Sequence, residues 1–447
     1  MPQTSMQSAL ASIDDVQLTK SHWKWTVLSG MGDYLDAGSI VAGGVALMTW
    51  IHAFHMSTSI VGIISAFSSN GISTAIGALI AGFLGDRFGR KFIYSIDLLV
   101  YMLGALVVIF AMNSTMLITG YMVLGFAVGA DVPTSWSLIA EYAPKRSRGK
   151  LMGMTNILWY IGPIVILLLA LGLNSLGVLG MRLLFASLFL VALVTYVLRR
   201  SLVESPRWSA THGRVEEVQK LEKEIGISSE EDETVSVRKK IGLKDLFRGE
   251  NLRHLVFITP IYVLWGIPAG TYGFFFPYIF KTVGAVSPVT SDLMEILYFG
   301  LAILSVLFIF MPLNDRIDRR LLYAVSAFLC GLSFFILLFA PISNPIVALA
   351  NVLLFGVGQG VGLWPLQRVW SVELFPTEIR NTSQGILWGS MRVILGIWSL
   401  FLPVIIGALG GFKMVALLMT LMFAYNLVVG GLFGPRTGGK SLEEITQ

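Results

Sequence analysis

The chain has 447 residues, 55% of them hydrophobic and 13% charged, with a mean hydropathy of +0.74. A soluble domain carries about 25% charged residues. This balance excludes a disordered chain, a coiled coil and an ordinary soluble enzyme, and it points to lipid as the main solvent. A single cysteine, Cys330, excludes a disulfide framework and a cysteine-ligated zinc or iron–sulfur site.

In chain order, residues 1–22 form a polar tail with no apolar core of signal-peptide type, so no cleaved leader is expected. A spanning helix needs about 20 mostly apolar residues. Twelve such stretches are predicted, at 24–50, 59–83, 92–112, 116–140, 151–173, 180–199, 253–277, 292–313, 321–341, 346–372, 382–408 and 412–433. The fold class is therefore an all-α membrane protein, with bundles at 23–200 and 252–433, a polar linker at 201–251 and a tail at 434–447. Within the linker, Ser205-Pro206 predicts a helix N-cap with proline at the first helical position, and RVEEVQKLEKEI (214–225) a further surface helix. Of the 32 Lys and Arg residues, 27 fall on one side of these spans. The positive-inside rule makes that side cytoplasmic, with both termini and the linker on it. The net charge of +5 follows from this topology and is not a nucleic-acid footprint.

Two polar motifs recur. GDRFGRK (85–91) is echoed by NDRIDRR (314–320), and EYAPKRSRG (141–149) by ELFPTEIRN (373–381). The offsets, Asp86 to Asp315 and Glu141 to Glu373, are nearly equal, which argues for two homologous six-helix halves. Paired halves around a central cavity are a transporter architecture.

These motifs resemble those of the Major Facilitator Superfamily, and within it the sugar-porter group. EYAPKRSRG is similar to that group's Glu-x-x-Pro-x-x-x-Arg-Gly pattern. VESPRW (203–208) resembles Pro-Glu-Ser-Pro-Arg-Trp, with Val203 in place of the first proline, and PRTGGKSLEEI (435–445) resembles the tail. GADVP (129–133) and IPAGTYGFFFP (267–277) resemble bacterial inner-membrane metabolite transporters. The resemblance implies a rocker-switch carrier in the cell (inner) membrane. Asp86, Arg87, Arg90, Glu141, Arg148, Asp315, Arg316, Arg319, Glu373 and Arg380 would act as its gating residues, paired across the halves when the inside is closed.

Charges within the spans are the candidate working groups, because each costs at least about 2.5 kcal/mol at mid-helix. Asp33 and Asp36 lie three residues apart on one face of the first span. Asp131 lies ten residues before Glu141, about 15 Å along a helix. Arg392 lies twelve residues past Arg380, about 18 Å in, and Arg368 five residues before Glu373. Two acids and two bases can neutralise one another across a cavity. Alternatively, a desolvated carboxylate loads and releases a proton while a fixed guanidinium clamps an anion. By resemblance, Asp36 of DYLDAGSI (33–40) matches the family's proton-coupling aspartate. The usual arginine partner of the fourth helix is Tyr121 here, so Asp33 or Asp131 could share the role. The pyranose-binding amides align with Pro163, Leu264 and Trp265, and the stacking tryptophan with Arg368. The pocket thus loses amides and gains positive charge.

The expected function is proton-coupled symport of a small anionic metabolite, a carboxylate, sugar acid or sulfonate. Arg392, Arg368 and Asp131 would bind it, with Trp159, Tyr160, Trp265, Tyr272, Trp364 and Trp388 as candidate lining. The alternative is carriage of a neutral sugar or polyol, followed by a membrane sensor or a drug efflux antiporter. The expected partners are a small-molecule substrate, a proton and the lipid bilayer. A monomer is expected, with no nucleic acid, cofactor, metal site or enzymatic activity. GPRTGGKS (434–441) satisfies a phosphate-loop pattern but follows a membrane helix rather than a strand.

Overall fold

A computed structural model describes residues 13–68, 70–214, 216–218, 242–284, 286–408 and 412–446. Among them are twelve helices long and apolar enough to cross a membrane. The first six are α1 (Lys20–Phe54), α2 (Thr58–Phe88), α3 (Arg90–Ile109), α4 (Ser114–Tyr142), α5 (Arg148–Leu176) and α6 (Val178–Arg199). The second six are α7 (Gly249–Lys281), α8 (Pro288–Leu313), α9 (Arg319–Leu338), α10 (Pro345–Glu373), α11 (Thr377–Leu402) and α12 (Phe412–Phe433). Most run past the predicted apolar stretches, because polar turns continue the helices and are capped. Asn113 accepts from the Met116 amide at 2.8 Å to start α4. Ser205 accepts from the Trp208 amide at 3.0 Å and starts the short linker helix Pro206–Thr211, as Ser205-Pro206 predicted. The predicted linker helix at 214–225 falls largely outside the described residues.

Large apolar side chains such as Leu103, Phe110, Phe308 and Leu421 remain exposed on the outer faces. In a membrane they meet acyl chains rather than water. The two halves, α1–α6 and α7–α12, meet along two seams, α2 against α11 and α5 against α8. Helix α2 leaves its helical course after Phe67 and resumes it at Ile72, and Asn70 lies outside the helical ladder. Helices α8 and α10 each carry a widened turn, at Val306–Phe310 and Gln359–Leu363. Such turns re-aim side chains and often mark working sites.

Candidate functional site

Asp33 and Asp36 point from α1 into the opposite half. Asp33 Oδ1 meets Arg368 Nη1 of α10 at 2.8 Å, and Asp36 Oδ2 meets Arg392 Nη2 of α11 at 2.8 Å. All four side chains are at most 2% exposed. Each acid also accepts an indole N–H, from Trp136 and Trp159 respectively, both at 3.1 Å. The Arg368 guanidinium lies 4.3 and 4.2 Å from the ring centres of Trp136 and Trp364, and donates to Thr155 Oγ1 at 2.7 Å. Arg392 lies 4.3 Å from the Trp388 ring centre and donates to Asn70 Oδ1 at 2.6 Å. Asn70 in turn donates to the Gly270 carbonyl of α7 at 2.9 Å. Indole faces and added hydrogen bonds offset the desolvation that two buried ions incur.

Beside Arg392 lies a small cavity of about 20 Å³, bounded by α1, α2, α5, α7 and α11. Trp159, Trp265 and Trp388 form its walls, with Asn70 and Arg392 as polar points. Trp265 is held in place by stacking on Trp364, with centroids 3.7 Å apart, and by a 2.9 Å bond to Gln359 Oε1 in the widened turn of α10.

At the end carrying the basic loops, the halves are joined by an exchange of ion pairs. Glu141 holds Arg90 of its own half at 2.8 Å and Arg380 of the other at 3.0 Å. Glu373 holds Arg319 of its own half at 2.8 Å and Arg148 of the other at 3.0 Å. Asp86 accepts the amides of Asn381 and Thr382 near the start of α11, at 3.1 and 2.7 Å. Among the described residues, Asp315, its counterpart, reaches only Arg319, at 3.6 Å, and Asn314 at 2.9 Å.

Two segments brace this clamp. Glu204 accepts the Arg90 and Lys91 amides at 3.0 Å each and so caps α3. Arg207 grips Asp14 at 2.8 Å and Glu443 at 3.0 Å, and donates to the Glu141 carbonyl. Burial works against the Arg207 charge, but Glu443 and Asp14 outweigh it and hold the protonated form. Burial alone would raise the Glu443 carboxyl, and Arg207 overrides it, holding Glu443 down at about 2.

Of the expected substrate residues, Arg392, Trp159, Trp265 and Trp388 line the cavity. Arg368 and Trp364 lie behind it, and Tyr160 packs on Trp159 and Phe299. Tyr272 turns into its own half, bonded to Asn351 at 2.9 Å. Asp131 is placed elsewhere than expected. It faces Arg199 of α6, at 2.7 Å, which also holds Asp97 at 3.3 Å. Its depth was readable from the distance to Glu141, whereas its direction around α4 was not. Of the expected gating residues, Arg87 and Arg316 stay at the surface outside the network, because each sits one position past its aspartate and so points away. Asn70 and Glu204 were missed. Ser-Ser-Asn-Gly (68–71) inside an apolar span was the available signal for the first.

A family model described as Sugar (and other) transporter matches residues 15–447. The chain is 38% identical over 424 residues to a minor myo-inositol transporter of Bacillus subtilis (strain 168), covering 95% of this chain and 93% of that one. It is 26% identical to the niacin transporter of Acinetobacter baylyi, covering 98% and 99%. It superposes on the major facilitator superfamily proton:xylose symporter bound to 6-bromo-6-deoxy-D-glucose with a TM-score of 0.82, at 20% identity over 95% of this chain and 98% of that one. This chain belongs to the Sugar (and other) transporter family: it is a multi-pass secondary transporter of the major facilitator superfamily, not an enzyme.

Proposed function

We propose that the chain imports a neutral ring polyol or sugar, of the kind myo-inositol represents, by proton symport, with the basic end cytoplasmic. The observation that carries this reading is the charge balance at the centre: Arg368 is joined to Asp33 and Arg392 to Asp36. An anion needs a guanidinium free of other carboxylates. The expected anionic substrate is therefore set aside in favour of the neutral one, which the likeness to a myo-inositol transporter also supports. The polar atoms near the cavity fit hydroxyls. Among the described residues, Trp388 Nε1 and Arg392 Nε are donors without a partner, and Asp36 Oδ1 is an acceptor without one. A hydroxyl serves both kinds.

Asp36 is the proposed proton carrier. Protonation removes its charge and weakens its hold on Arg392, which ties α1 to α11 beside the cavity. The proton, the solute and the separation of the halves then depend on one another. The test is lumenal pH in proteoliposomes with an imposed membrane potential, negative inside, as solutes are added outside. Acidification with myo-inositol or xylose and none with nicotinate is the expected result. Acidification with nicotinate alone would overturn it.

A further inference from the structure

The external end of the α5–α8 seam holds two acids that the central mechanism does not use. Asp292 and Glu295 lie three residues apart on α8, and Ser291 lies four before Glu295, so all three share one helical face. Phe299, one turn further on, packs on Trp159 and Tyr160 of α5, with ring centroids 6.1 Å away in each case. That face therefore looks across the seam into the other half. All three side chains are fully buried. Neither oxygen of Glu295 nor the Ser291 hydroxyl has a hydrogen-bond partner among the described residues, and Asp292 has beside it the neutral side-chain amide of Asn174. No cation stands within ion-pair distance of either acid among the described residues.

The groups facing them are few. Lys281 at the end of α7 acts on both acids from a distance, and Asn174 at the end of α5 faces Asp292. Tyr298 is the neighbour of Glu295 on α8, and the α10 residue stacked on it is Phe355, which does not titrate. The dipole of α8 does not account for the pair. It fades within the first turn, and Glu295 is the eighth residue from Pro288. Two ionised carboxylates cannot be buried side by side without a counterion. The seam can close over them only when their charge has been cancelled.

We propose that Asp292 and Glu295, with the Ser291 hydroxyl, form a second proton-binding site at the external end of the α5–α8 seam, and that loading this site permits the external side to close. With the site charged, water must reach it and the seam stays parted. With it neutral, the acids are buried as the structure shows them. External protons thus license closure separately from the proton on Asp36. The inference rests on the transporter reading but not on the choice of solute.

The test places spin labels on Leu176→Cys and Val289→Cys, both exposed at the external ends of α5 and α8, while the native Cys330 is buried and unreactive. Full-length protein in nanodiscs is measured by double electron–electron resonance from about pH 5 to about pH 9, a range in which exposed carboxylates stay ionised and only desolvated ones titrate. The expected result is a short separation at low pH that lengthens reversibly by several ångström at high pH. The double variant Asp292→Asn/Glu295→Gln should hold the short separation throughout, and Asp36→Asn should still respond. Both changes in the double variant keep the size of the side chains and remove only their ability to ionise, so it should fold. Its circular dichroism and loss of a pH-dependent infrared carboxyl band are read alongside. The proposal is overturned if pH leaves the wild-type separation unchanged, or if the double variant responds as wild type does. It also falls if replacing choline chloride by sodium chloride at fixed pH, rather than pH itself, moves the separation. None of these failures touches the polyol reading, because no solute is present.

Discussion

The two ends of the molecule are closed by different physics. At the basic end, Glu141 and Glu373 each hold one arginine of their own half and one of the other, all buried. At the opposite end, α1 lies directly on α7. A Cβ added at Gly44 would stand 2.5 Å from the Phe274 carbonyl oxygen. One closure is a set of directional ion pairs with fixed partners; the other is close contact of backbone with backbone, which tolerates no added atom. A clamp of ion pairs opens when a partner is lost, whereas a packed seam opens when something is inserted or charged.

The largest effect is expected from Glu373→Gln, which leaves Arg148 and Arg319 buried with one acid fewer. Breaking a buried pair costs about 3–5 kcal/mol, about two to four powers of ten in the balance between closed and open forms. The labelling rate of a cysteine placed at buried Met152, read in inside-out vesicles, should rise accordingly; an unchanged rate would refute the clamp. Asp36→Asn comes next. It should abolish uphill accumulation of myo-inositol while leaving exchange across the membrane, and retained accumulation would remove Asp36 from coupling.

Gly44→Ala sharpens the comparison from the other end. Overpacking costs about 1–3 kcal/mol, and here it falls on external closure alone. External thiol reagents should reach a cysteine at Ile40 faster, with labelling at Met152 unchanged. A smaller effect is expected from pH at the tail. The Glu443 carboxyl is depressed from 4.5 to about 2, so its contribution to docking is complete above about pH 4.5 and is lost as pH falls toward 2. Proteolysis of the tail should accelerate only inside that window, and acceleration between pH 7 and 5 would contradict it. Least is expected of Arg87→Gln, within about 0.5 kcal/mol, because Arg87 is exposed and, among the described residues, is set only against the Phe88 ring, 5.2 Å from its centre. A large loss of transport there would mean that the clamp extends to the surface.

The twelve spans were legible because apolar runs of that length have one use. The clamp was legible as a matched pair of motifs, since Asp86 and Asp315, and Glu141 and Glu373, recur at nearly one offset. The pairing of acids with bases was not. Asp33 and Arg368 are 335 residues apart, and only the docking of α1 against α10 and α11 decides which arginine each aspartate meets. Asp131 shows the same limit: spacing gave its height along α4, but its partner is the last residue of α6, which reads in the sequence as a loop charge. Glu295, near the end of its span, reads as interfacial, and only the packed seam reveals its burial.

With Asp36 and Arg392 joined, the centre of the protein is electrically neutral. On the symport proposed above, a proton on Asp36 leaves the guanidinium charge uncancelled. The form loaded with a neutral solute then carries one positive charge, and the returning empty form carries none. The resting voltage of the cell therefore pulls on only half of the cycle, with about 2.3 kcal/mol per 100 mV. Uptake becomes a current: a cell with no pH difference across its membrane could still concentrate the solute, powered by voltage alone.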